Sequence, residues 1–191
     1  MNQKLLAIVA VAAILAIVAG AAVGRNLLSS TTTATPRADV VRFKDEISKF
    51  SIAYPGSWTR LQAAGAESDV SLLVEADRAT SLIVRAAPVG LATVTQKTLP
   101  IVRKLTDSLV AADPRAKLLG APQAVQLGGL PGYRYRYAYG SGETSGAHDH
   151  YFLFKDGRLI QLVFQAVPST RLSALTPTFD RIAATFRGRD A

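Results

Sequence analysis

The chain has 191 residues, enough for one folded domain with its own core, and 22 Lys and Arg against 14 Asp and Glu give it a net charge of +8. It has no cysteine, which excludes disulfides, zinc–thiolate sites, thiol nucleophiles and lipid attachment through a cysteine. The charges are scattered without a run of five or six like signs and therefore read as solvated faces. An affinity for anionic partners is the further implication of the basic balance.

Residues 5–24, LLAIVAVAAILAIVAGAAVG, carry no charge. A helix of that length, at 1.5 Å per residue, covers the roughly 30 Å hydrocarbon core of a bilayer. The length predicts an uncleaved signal anchor. The small residues Ala19 to Ala22 would suit the alternative, a cleaved signal peptide, and both readings export the body. With Lys4 near the amino terminus and no second span, residues 1–4 are expected in the cytoplasm and the rest outside, in a single-pass protein of the cell membrane. Residues 25–39 contain SSTTTATP and read as a polar stalk, so the extracytoplasmic domain is expected over 40–191. Without the first 24 residues it keeps 21 basic residues against 14 acidic, +7.

In the body, FSIAY (50–54) alternates Phe50, Ile52 and Tyr54 against Ser51 and Ala53, the period of a half-buried strand. Pro55-Gly56 then makes a turn, and Trp58 after it is expected to close the core. DVSLLVEA (69–76) and SLIVRAAPV (81–89) predict a hairpin. Residues 98–112 change period: Val102, Leu105, Leu109 and Ala112 form a helical stripe, with Thr98 as N-cap and Pro100 in the first turn. Strands are expected again over 117–119 and 124–127, followed by a turn at Gly128-Gly129-Leu130-Pro131-Gly132. YRYRYAY (133–139) alternates four tyrosines against Arg134, Arg136 and Ala138. A loop, GSGETSG, leads to AHDHYFLF, whose strand turns back at Asp156-Gly157 into 159–167. Thr176-Pro177 predicts a helix start, with Phe179, Ile182 and Phe186 as its buried stripe and Arg187-Gly188-Arg189 as its end. Strands, helix, strands, helix make an α+β fold, a mainly antiparallel β-sheet flanked by helices, preceded by one transmembrane helix.

FSIAYPGSW, LGGLPGYRYRYAY, YFLFKDGRLIQLVFQA and FDRIAATFR together resemble the PsbP-like superfamily, in particular its bacterial envelope members of the LpqN lipoprotein type. The resemblance covers residues 43 to 187. It implies an α/β/α sandwich around an antiparallel sheet and a non-catalytic role as an accessory or partner-binding protein. The lipoprotein members carry a lipidated cysteine that this chain lacks, so anchoring is expected through 5–24.

Chemistry is sparse. On a strand, His148 and His150 share one face and Asp149 takes the other, so the adjacent carboxylate cannot complete a metal site with them. A zinc site wants three or four ligands, and Glu143 is the nearest addition, so the histidines read instead as the wet end of a strand. GSGETSG precedes a strand and is neither a nucleophile elbow nor a dinucleotide loop. In YRYRYAY the arginines and tyrosines fall on opposite faces, which argues against a nucleic-acid platform, and leaves Arg134 and Arg136 as candidates for a partner's carboxylates or a lipid phosphate. The expected function is a non-enzymatic, membrane-anchored accessory domain that binds another envelope protein, with no cofactor, no metal and no catalytic residue. The alternative is a lipid- or amphiphile-binding module with a pocket between sheet and helix.

Overall fold

A computed structural model describes residues 39–62, 69–141 and 145–188. The predicted anchor, nearly all of the stalk, and Glu143 lie outside the described residues. Among the described residues no helix is long and apolar enough to cross a membrane.

Among the described residues, two antiparallel sheets and two α-helices make the fold. The smaller sheet orders its strands β1-β2-β11, from β1 (Val40–Asp45), β2 (Phe50–Pro55) and β11 (Arg187–Gly188). The larger sheet has eight strands. Its main path comprises β3 (Thr59–Arg60), β4 (Val70–Asp77), β5 (Thr80–Pro88), β10 (Arg158–Ala166), β9 (Gly146–Lys155), β8 (Leu130–Tyr139) and β6 (Lys117–Leu118), in that spatial order. The eighth, β7 (Gln123–Leu127), pairs with β8 off that path. Helix α1 (Arg103–Ala111) follows a 3-10 turn at Leu99–Val102, and helix α2 (Leu172–Ala183) follows β10.

Alternation along the central strands divides the core in two. One side of β9 carries Tyr151 and Leu153, which join Phe50, Ile52, Trp58, Phe164, Phe179 and Phe186. Phe164 and Phe179 stack at 4.9 Å between ring centroids and seat α2 on β10. The opposite side carries Phe152 and Phe154, packed with Tyr133, Tyr135, Tyr137 and Leu159 under Leu99, Val102, Leu109 and Val110. Trp58 closes the first cluster, as expected.

Several local expectations are corrected. Ser51 and Ala53 are buried like the apolar residues they alternate with, so both faces of β2 are covered, and β2 is the middle strand of a second sheet rather than part of a single one. Leu130, Pro131 and Gly132 belong to β8, and only Gly128 and Gly129 turn; Gly132 is required because a Cβ there would run into the Phe152 carbonyl oxygen. In α1, Leu109 is buried and Leu105 packs partly buried against the cluster, as expected, but Thr106 and Val110 are buried as well and Ala112 is exposed. Thr98 bonds back to Thr95 instead of capping the helix. Helix α2 begins at Leu172 and runs through Pro177. Pro177 removes the donor to residue 173, but both residues are exposed, so water can take that carbonyl. Asp156 and Gly157, with φ of 46° and 71°, form the expected tight turn between β9 and β10.

Thr185, just past α2, fastens the two sheets' shared core. Its hydroxyl accepts the Ala53 N–H at 2.8 Å and lies 3.0 Å from the Ala53 carbonyl, so a side chain does what a neighbouring strand would do for β2. Thr185→Val keeps the shape and removes this partner. Urea unfolding is expected to show a loss of about 1–2 kcal/mol, the cost of one buried backbone group left unmet.

Candidate functional site

The residues with chemical potential gather on β8 and β9. The antiparallel register sets Tyr137 opposite His148, Tyr135 opposite His150, and Arg136 opposite Asp149. Alternation then sends the histidines toward the α1 side and Asp149 toward the α2 side, as the sequence predicts.

The histidines are not the wet end of the strand. They lie in its interior, between β8 and β10, with His148 at 9% and His150 at 0% exposure. The Tyr137 hydroxyl stands 3.1 Å from Nδ1 of each ring. His148 Nε2 meets Gln165 Oε1 at 3.3 Å, and His150 Nε2 meets Gln161 Oε1 at 3.1 Å. Every ring nitrogen therefore has a protein partner. Burial pushes the His148 pKa down to about 4, against the opposing pull of the Gln165 bond and Asp113. Burial, followed by the nearby His148, pushes His150 well below its ordinary value. Both rings are neutral at pH 7, and burial raises the Tyr137 hydroxyl above its ordinary value. Among the described residues there is no group of three His, Cys, Asp or Glu placed to hold a metal ion.

On the α2 side, Asp149 is fully buried and both its oxygens are taken by arginine. Arg134 Nε donates to Oδ1 at 2.6 Å, Arg134 Nη2 donates to Oδ2, and Arg136 Nε reaches Oδ2 at 3.2 Å. Arg134 also donates to Asp180 of α2 at 2.5 Å and lies over the Tyr151 ring, 4.9 Å from its centroid. Burial alone would lower the Arg134 pKa, but the hydrogen bonds and charge of Asp149 outweigh it and hold the guanidinium above its usual value. Of the two arginines set aside for a partner, Arg134 is thus engaged internally, with 13% of its side chain exposed, while Arg136 keeps 38%.

A third arrangement ties the middle of α1 to β8: the Tyr135 hydroxyl donates to Asp107 at 2.6 Å and stands 2.7 Å from the Thr106 hydroxyl. On the α1 side, aromatic side chains pack the space between sheet and helix. A groove of about 660 Å³ lies at the β3–β4 edge, lined by Arg60, Leu61, Gln62, Val70, Leu72 and Leu73.

A family model described as PsbP matches residues 38–188. The solution structure of the cyanobacterial PsbP (CyanoP) from Synechocystis sp. PCC 6803 superimposes with a TM-score of 0.59 at 18% identity, over 83% of this chain and 98% of that one. LpqN, a protein involved in cell envelope biogenesis of Mycobacterium tuberculosis, gives 0.57 at 12% identity, over 80% and 91%. These similarities speak for the fold. A search of curated protein sequences finds no match.

Proposed function

This chain belongs to the PsbP family, and from that premise we propose that it is a non-enzymatic accessory domain, anchored in the cell membrane through residues 5–24, that binds another envelope protein. One observation carries the reading: the side chains best equipted for chemistry are turned inward and bonded to one another, with His150 and Asp149 both fully buried. A general acid or base must reach its substrate within hydrogen-bonding distance, directly or through one water, and these groups have no substrate-facing side. What the domain offers a partner is its outer surface, on which the half-open Arg136 is the place to meet a carboxylate. That LpqN is described as involved in cell envelope biogenesis supports the same compartment.

The test is crosslinking in native membranes followed by mass spectrometry, alongside an alkaline carbonate wash. A specific envelope protein should be captured, and the chain should stay with the membrane. Release into the wash would remove the anchor, and an uncrosslinked monomer would remove the partner.

The groove at the β3–β4 edge favours a second reading, binding of an amphiphile. Leu61, Val70, Leu72 and Leu73 offer apolar contact, Arg60 suits an anionic head, and about 660 Å³ falls within the size of small-molecule sites. Native mass spectrometry of the protein extracted from membranes should then release a lipid; a bare chain would dismiss this reading.

A further inference from the structure

The cluster of Tyr137, His148, His150, Gln161 and Gln165 has a proton count that does not close in its plainest form. If both imidazoles donate from Nε2 to a glutamine carbonyl oxygen, both Nδ1 atoms are bare acceptors. Both face the same Tyr137 hydroxyl at 3.1 Å, and that hydroxyl has one proton to give. One ring is left with its lone pair against the tyrosine oxygen, in a site where His150 is fully buried.

Two arrangements close the count. In the neutral one, a glutamine amide is turned so that its NH₂ donates to the adjacent Nε2. That ring carries its proton on Nδ1 and donates to the Tyr137 oxygen, and Tyr137 donates to Nδ1 of the other ring, which donates from Nε2 to the other glutamine. The two histidines are then opposite tautomers in a one-way chain. In the second arrangement the cluster holds one extra proton, and both glutamines present oxygen. The two differ by one proton and one amide rotation, and neither leaves a ring nitrogen or the tyrosine hydroxyl unmet.

We infer that these five side chains form a one-proton store: a neutral chain of opposite tautomers at neutral pH that takes up a single proton at His148 on acidification, by rotation of the Gln165 amide, without opening the sheet. The rim identifies the entry point. His148 and Gln165 keep 9% and 7% exposure, whereas His150 and Gln161 keep 0% and 4%. The groups around the cluster agree: Asp113, beyond α1, places a negative charge near His148, and Arg85 of β5 places a positive one near His150. Tyr139 packs against His148 at 4.5 Å between ring centroids, and Phe152 against His150 at 3.9 Å; neither adds a charge. Burial, which depresses His148 to about 4, keeps the store empty at neutral pH. A second proton has no place, since both Nδ1–H groups would then point at one oxygen and leave the tyrosine proton without an acceptor.

The chain has only two histidines, so selective ¹⁵N-histidine labelling of the full chain in detergent micelles reports on the cluster alone. Long-range ¹H–¹⁵N spectra at pH 7 should show one ring protonated on Nδ1 (His148) and the other on Nε2 (His150). As the pH falls toward 4, His148 should be the ring that becomes an imidazolium. The same tautomer on both rings at pH 7, or a charge arising first on His150, overturns the inference. In Tyr137→Phe the link is gone and both rings should settle as Nε2–H tautomers; opposite tautomers surviving in a folded Tyr137→Phe chain would also overturn it. If that variant does not fold, the wild-type tautomers at pH 7 decide.

Discussion

Asp149→Ala should destabilise the domain by about 3–5 kcal/mol, the cost of leaving a buried charge without its partner. Asp149 is the fully buried member of its network, and its removal leaves Arg134 with most of its side chain inside the protein facing an apolar cluster. The remaining bond to Asp180 compensates little, because that carboxylate is 46% exposed and shares its charge with water. A loss of this size is a large part of the 5–15 kcal/mol that typically separates folded from unfolded states. Arg136→Ala should cost far less, since Arg136 makes one contact at 3.2 Å and keeps 38% exposure. Replacing both central partners, in Arg134→Met with Asp149→Leu, should recover most of the loss, because apolar residues of similar volume bury without a desolvation penalty. Urea unfolding of the three variants checks the pattern. An Asp149→Ala domain as stable as the wild type would mean that Arg134 is held by something other than this carboxylate.

Acidification from pH 7 to 4.5 should remove a further block of stability, with roughly 2–3 kcal/mol from His148 alone. In the unfolded chain a histidine titrates near 6.5, while burial holds folded His148 at about 4. The unfolded state therefore binds the proton first. The stability tied to the neutral ring is fully present above pH 6.5 and drains away as pH falls toward 4, and His150, also held well below its ordinary value by burial, steepens the loss. Carboxylates contribute in a different window. Asp77, Asp107 and Asp113 are lowered from 3.8, so the stability linked to them is lost only below that value. Unfolding free energies at pH 7, 5.5 and 4.5 should fall steadily, and His148→Gln should flatten the profile. A flat profile in the wild-type protein would contradict the burial of the two rings.

The parts of the fold that local chemistry dictates were legible from residues. Asp156-Gly157 specifies its turn because its conformation suits those two residues, and strict alternation sorted tyrosines from arginines in 133–139. Alternation also separated His148 and His150 from Asp149 correctly. What it could not supply was the environment of each face. A strand reads as half-wet when its polar residues sit at one end, but β9 packs Tyr151 and Leu153 into one apolar cluster and Phe152 and Phe154 into the other, so both its faces are covered. The partners of Asp149 were nevertheless within reach. Pairing the strands about Gly142 and Glu143 in GSGETSG puts residue 136 opposite 149, which is the observed register. That step turns Arg136 and its face-mate Arg134 from free cations into neighbours of a buried carboxylate. The same step about Asp156-Gly157 puts Gln165 opposite His148, so that partner was within reach too, whereas Gln161 lies opposite Phe152 and meets His150 only diagonally, which pairing alone does not show. Helix α2 was misplaced because Pro177 reads as a start, while an exposed position lets it sit inside.

The central claim is that the reactive-looking side chains hold the domain together and that an outer surface meets the partner. Crosslinking in native membranes, run in parallel on the wild-type chain and on a His148→Gln chain shown to be folded, tests it most directly. The same envelope protein should be captured by both. Capture by neither, or loss of the partner in a folded His148→Gln chain, would contradict the claim, the second result by placing the histidine in the interaction itself.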